Sequence, residues 1–173
     1  FALELFASLA GLGMGAFALA LPLDVRPWTL VTSVYAHASI GHLVANAIAL
    51  VVVGLLVARQ TTRARFHGFF LATGAISGVV TVLVGATVGG TTAVLGASGA
   101  ILALAGYALV GNLATESILG RVTLSRRARV AVVLVLAVGV AIVTGGPRVA
   151  LTAHVAGFLL GLGAGRLHVL RAG

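Results

Sequence analysis

The sequence has no cysteine and no lysine, and its only acids are Glu4, Asp24 and Glu116. Without cysteine there is no disulfide, no thiolate metal ligand and no thiol nucleophile. Charge of either sign is scarce. Charged residues make up 8% of the chain, against about 25% in a soluble domain. A water-facing surface cannot be built from that composition. Internal repeats and low-complexity tracts are also missing. What fills the chain instead is apolar: 60% of the 173 residues are hydrophobic and the mean hydropathy is +1.19. Glycine is abundant, at 24 residues, and membrane helices use it to let backbones approach closely. The expectation is an integral membrane protein of one domain, residues 1–173. Its lack of lysine and its wealth of Ala, Val, Gly and Arg hint at a GC-rich genome.

The net charge of +8 does not signal nucleic acid. The arginines lie on no single amphipathic face and are not interleaved with exposed aromatics, as a binding stripe requires. They sit between apolar blocks. Six such blocks run at about 3–21, 41–58, 68–88, 98–113, 130–144 and 151–167. They are continuous rather than alternating, so helices are expected. A span needs roughly 20 residues, so the fourth and fifth should extend into their flanks. Arg59, Arg63 and Arg65 fall between spans two and three; Arg121, Arg126, Arg127 and Arg129 between four and five; Arg166 and Arg171 after six. Six spans put all of these on one side, leaving Arg26 and Arg148 on the other. The arginine-rich side, with both termini, is therefore expected to be cytoplasmic. Loops 22–40, 89–97 and 145–150 then face outward. The start at Phe1 rather than Met suggests a trimmed N-terminus. Ala18-Leu19-Ala20 resembles a signal-peptidase site, but no basic region precedes it. Trp28 and Tyr35 in the first outer loop are candidate interface anchors.

The unusual polar residues share one depth. Ser98, His154 and His42 each open a span at its outer end. Asn46 lies four residues after His42, on the same helical face and one turn deeper; His37 sits just before span two. Each has an ordinary structural reading: Ser98 bonding its own helix, the histidines packing at an interface, Asn46 joining helices. Four such groups from three distant spans at one level point instead to a site. Serine and histidine can form a nucleophile and a general base. No carboxylate lies near enough to be a third member, so the unit would be a dyad. His37, His42 and His154 lack the carboxylate or thiolate companions that would favour a metal. His67 and His168 sit among the arginines of the other side and are read as structural.

Glycine spacing adds geometry. His154, Gly157, Gly161 and Gly165 form one stripe of span six; Gly99, Ala103 and Gly106 form a small-residue face on span four. Two such faces allow a close crossing, which would bring Ser98 and His154 within reach. Gly96 and Gly99 leave room beside Ser98 for a substrate carbonyl. A helix start at Ser98 would also offer a free backbone N–H to a developing oxyanion.

These motifs resemble the rhomboid family of intramembrane serine proteases: "GASG" with Ser98, "AHVAGFLLG" with His154, "HASIGHLVAN" with His37, His42 and Asn46, and "ALAGY" ending at Tyr107. The similarity runs from about Trp28 to Arg166. It implies an all-α, six-transmembrane-helix rhomboid-like bundle in the plasma membrane of a prokaryote. Ser98 would be the nucleophile and His154 the base, with His42, Asn46 and the Ser98 N–H as the oxyanion hole. His37 would position water or support the site. Two positions depart from the family pattern. Leu102 stands where Tyr or Phe often stacks on the base, and Thr29 follows Trp28 where Arg is frequent. The resemblance implies transmembrane protein substrates cut near the outer face, a lipid bilayer around the protein, and no cofactor or metal. Two other classes are a non-catalytic rhomboid-like protein binding membrane clients, and a small transporter. The first predicts loss of Ser98 or His154. The second predicts repeats and charges at mid-depth, which the sequence lacks.

Overall fold

The computed structural model describes residues 13–89, 93–111 and 149–172. Among these lie five α-helices and one short antiparallel strand pair. Helix α1 spans Thr29–Tyr35, α2 Ile40–Ala58, α3 Arg63–Thr87, α4 Ser98–Gly111 and α5 Val149–Arg166. Strands β1, Leu19–Ala20, and β2, Ala93–Val94, pair Leu19 with Val94 and Ala20 with Ala93. That pair ties the start of the described chain to the segment just before α4.

Side-chain caps fix the helix starts. The Ser39 hydroxyl accepts the His42 N–H at 3.1 Å and sets α2. The Thr62 hydroxyl accepts the Arg65 N–H at 3.3 Å and sets α3. Capping satisfies donors that no carbonyl can reach. It carries α3 five residues ahead of the apolar block expected from residue 68, through a polar first turn. Helix α5 likewise starts two residues early, inside the loop expected at 145–150.

Two helices, α2 and α3, are long and apolar enough to cross a membrane. A soluble core helix would be mostly covered, whereas α2 leaves Ile40, Val44, Ile48, Val52 and Leu55 open along one side. On α3 the inward face carries a buried hydroxyl stripe, Thr73, Ser77 and Thr81. Each hydroxyl donates to a carbonyl of its own helix, at Phe69, Gly74 and Ser77 respectively. No hydroxyl of the stripe is left unpaired in the apolar interior.

Helix α4 is the centre. It packs on α2, α3 and α5, and most extensively on α5. Val34, Phe70, Ala100, Ile101, Leu104 and Tyr107 belong to the core around it. The α4–α5 crossing is backbone on backbone. A Cβ on Gly157 would run into the Gly99 carbonyl, and one on Gly161 into the Ala103 carbonyl. At the far end a Cβ on Gly111 would lie 2.9 Å from Gly165. The pairs run in the same chain order, so α4 and α5 lie parallel.

Two expectations change. The first span does not run as a helix to residue 21. Met14–Ala16 form a 3-10 turn and Leu19–Ala20 a strand. The cause is local: Gly13 has φ +63° and Leu19 is drawn into pairing with Val94. Residues 3–12 and the fifth span, 130–144, lie outside the described residues. The six-span count is therefore not established by the fold. The first outer loop is not irregular throughout but contains α1, held by Thr29 Oγ1 donating to the Arg26 carbonyl at 2.7 Å. Trp28 and Tyr35 are both exposed, as interface anchors would be.

The crossing makes a sharp prediction. Gly161→Val must push apart two backbones and should destabilise the fold by about 3 kcal/mol. A Cβ at Gly163 meets nothing within 4 Å, so Gly163→Ala should be neutral or mildly stabilising. Unfolding of the two variants in the same micelles checks this contrast.

Candidate active site

The site is built where α2 and α4 begin, beside the second turn of α5. Ser98 is the first residue of α4 and is half-buried. The first α-helical bond of α4 runs from the Ile101 N–H to the Ala97 carbonyl, at 3.0 Å. The N–H groups of Ser98, Gly99 and Ala100 precede that bond and have no carbonyl of α4 to meet. They lie at the positive end of the helix dipole.

Gly99, the next residue, is gripped from two sides. Its carbonyl meets Gly157 of α5, and its Cα side meets the Ser77 hydroxyl of α3. A Cβ at Gly99 would also come within 3.5 Å of the Ala153 carbonyl, next to His154. The start of α4 is thereby set beside the second and third turns of α5, where His154 lies. His154 is 1% exposed, and its Nδ1 has no hydrogen-bond partner among the described residues. One turn further along, Leu102 of α4 and Phe158 of α5 share a buried cluster. An aliphatic–aromatic contact thus fills the level below Ser98 and His154, where the family pattern often has an aromatic ring after the serine.

The loop before Ser98 is pinned independently. The Gly96 N–H donates to the Ser33 carbonyl of α1 at 2.8 Å. Gly96 has φ +125°, a conformation suited to glycine. It also lies under the His42 ring: a Cβ there would be 2.8 Å from His42 Cε1. That contact brings α2 to the Ser98 loop. His42 and His154 lie within coulombic range of each other. The His37 ring stands edge-on to His42, with centroids 5.1 Å apart. His37 is buried and its Nδ1 pairs with the Tyr35 carbonyl at 2.9 Å. Asn46, one turn below His42, is buried, and its amide donates to the His42 carbonyl at 2.8 Å. An amide NH₂ has two hydrogens, so one donor remains after that bond.

All five polar residues singled out from the sequence thus belong to neighbouring elements at one end of the bundle. His67 and His168 do not join them. Both are exposed, His67 against Phe66 and His168 in the turn after α5. Sequence reasoning missed Ser77 and Ser33. Ser77 belongs to "TGAISG", which carries small and hydroxyl residues at helical spacing; that signal was present. The Ser33 contribution is a backbone carbonyl and has no side-chain signature. At the opposite end the Arg65 guanidinium donates to the Arg171 carbonyl, and the Ala172 N–H to the Gln60 carbonyl at 2.9 Å. The histidine end and the arginine end are separated by the length of the helices.

Chemically, the arrangement offers a hydroxyl at a helix N-terminus, a buried imidazole on the adjoining helix, and a cluster of N–H donors. Those are the parts that acyl transfer requires. A family model of the Rhomboid domain matches residues 24–171, which include every residue of this site. No curated protein matches the chain.

Gly96→Ala tests the packing of the site. The alanine would be strained by about 1–3 kcal/mol and would push the His42 ring from its seat. The expected outcome is a displaced His42 imidazole resonance in labelled protein. Gly41→Ala, where a Cβ would come no closer than 4.0 Å to Ser39 Oγ, should leave that resonance in place.

Proposed function

The chain belongs to the rhomboid family, and from that premise we propose that it is an intramembrane serine endopeptidase working by a Ser98–His154 dyad. The family is a membrane helical bundle, generally proteolytic, that acts on transmembrane substrates. The observation that carries the proposal for this chain is the Gly99–Gly157 contact, which sets the start of α4, with Ser98, against the stretch of α5 that carries His154.

In the proposed reaction His154 takes the proton from Ser98 as its Oγ attacks a substrate carbonyl. The oxyanion that forms is held by the Ser98 N–H, His42 and the remaining amide hydrogen of Asn46. His154 returns the proton to the leaving amine, and an acyl-enzyme is left on Ser98. Water then attacks, with His154 again the base. Among the described residues no carboxylate orients His154. Its Nδ1 is unpaired, and packing must hold the ring instead: Gly157 and Phe158 set α5 against α4 below it. His37 supports the hole by bracing His42 edge-on.

A peptide bond inside a helix is shielded by its own hydrogen bonds. The substrate segment must therefore unwind before Ser98 can reach a carbonyl. Small residues at the cut, and helix-weakening residues beyond it, would ease that step. With the arginine end cytoplasmic, cleavage falls near the outer face and both termini lie inside. Such a chain fits the plasma membrane of a prokaryote.

The test is cleavage of a single-span substrate by reconstituted protein. Ser98→Ala and His154→Ala should abolish it. Asn46→Ala should lower kcat by about 10²–10³, the loss typical of one oxyanion donor. A fluorophosphonate probe should label wild type and not Ser98→Ala. Equal cleavage by wild type and Ser98→Ala would overturn the dyad. An intact, folded protein that neither cleaves nor takes the probe would instead be a non-catalytic, client-binding member of the family.

A further inference from the structure

The arginine end holds a second feature that the proposed chemistry does not use. Helices α2 and α3 are consecutive, yet each packs on α4 rather than extensively on the other. Between them, closed off by the turn at 59–62, lies a groove of ≈ 380 Å³. Its walls on α2 are Leu50, Val51 and Leu55, and Phe66 of α3 faces Gly54, where an added Cβ would lie 3.4 Å from the ring. From residue 50 to 58 the α2 wall rises about 12 Å, close to the ~15 Å of one leaflet's hydrocarbon.

The mouth is of another character. Thr61, Arg63 and His67 line it. The Thr61 hydroxyl is screened from solvent and has no hydrogen-bond partner among the described residues. Arg63 is exposed and opens α3, which has no acid in its first turn. Arg65 is engaged with the Arg171 carbonyl, so Arg63 is the guanidinium at the groove. Among the described residues the only acid is Asp24, which precedes α1 at the other end. Nothing described there neutralises the mouth from within.

We propose that this groove binds one anionic phospholipid. An acyl chain lies between α2 and α3 along Leu50, Val51 and Leu55. The phosphate meets Arg63 and takes the Thr61 hydroxyl as a donor, with His67 at the rim. An apolar slot of one leaflet's depth, ending in an uncompensated guanidinium, complements that amphiphile. A neutral lipid would leave Arg63 without its counter-charge, and a soluble anion would leave the slot empty. The assignment does not rest on the protease reading, because none of these residues belongs to the Ser98 site.

Native mass spectrometry of the detergent-purified protein, exposed to dioleoyl phosphatidylglycerol or to the matching phosphatidylcholine, tests it. Wild type should retain one phosphatidylglycerol in preference to phosphatidylcholine. Arg63→Gln should weaken that retention about fivefold, the effect of one basic residue beside an anionic headgroup. Arg63→Lys should restore most of it. Leu55→Trp, at an exposed groove wall, should weaken retention with every charge intact. Arg166→Gln, at the end of α5 and outside the groove, should leave it unchanged. Equal retention of the two lipids by wild type would overturn the proposal. So would equal losses from Arg63→Gln and Arg166→Gln, or displacement of the lipid by glycerol phosphate alone.

Discussion

The contact of Gly157 with the Gly99 carbonyl is the constraint on which the site depends. In a bilayer, helices gain little from burying apolar surface against each other, since lipid tails are equally apolar. Association has to come from close packing, and closeness requires that side chains be removed from the seam. Gly157 and Gly161 do that on α5, against the Gly99 and Ala103 carbonyls of α4. Ser98 and His154 stand at the end of this seam, so the separation of their helices is fixed by backbone rather than by flexible side chains. The same contact leaves no slack: any side chain added there would separate the groups as well as the helices.

The other helices hold that seam in place. Gly99 is backed by Ser77 from α3, and Gly74 of α3 accepts Val34 of α1 and Ala100 of α4, with Val34 2.8 Å from where a Cβ would lie. Gly96 ties the loop to α1 through its N–H and carries the His42 ring of α2. The hydroxyls of α3 turn back onto their own carbonyls, and His37 onto Tyr35. Against that background of satisfied groups, the unpaired Nδ1 of His154 is conspicuous. A buried polar atom without a partner costs about 1–3 kcal/mol.

Much of the site was legible because its signals are local and periodic. His42 and Asn46 four apart, the glycine stripe after His154 and the small-residue face after Ser98 each follow from helix geometry, and the helices form as that geometry requires. What was not legible depends on hydrogen bonds between distant segments. The strand pairing of Leu19 with Val94 joins residues 75 positions apart, and hydropathy alone reads its first half as the end of an apolar helix. The early start of α3 follows from one hydroxyl, Thr62, ahead of a polar turn that hydropathy assigns to a loop. Helix α1 lies in a stretch that is too short and too mixed to show a period. Ser77 was passed over because a small polar residue inside an apolar helix more often only packs, and its function here is indeed to pack, against the residue beside Ser98.

The two ends of the bundle carry opposite demands. The histidine end gathers Ser98 and His42 in the first turns of α4 and α2, where N–H donors are free, beside His154 in the second turn of α5. The arginine end has to be held at the other boundary. There the Arg65–Arg171 and Ala172–Gln60 bonds clasp the chain end to the α2–α3 turn, and Leu170 is buried beneath them. A helix cannot slide along its axis when both ends are fixed in this way. For α4 and α5 axial slippage would be the most damaging motion, because a shift of one residue, 1.5 Å, moves Gly157 off Gly99 and brings a side chain into the seam. The clasp at one end therefore protects the register of the chemistry at the other. This coupling requires no conformational signal, only the stiffness of helices whose interior carbonyls and N–H groups are bonded to one another.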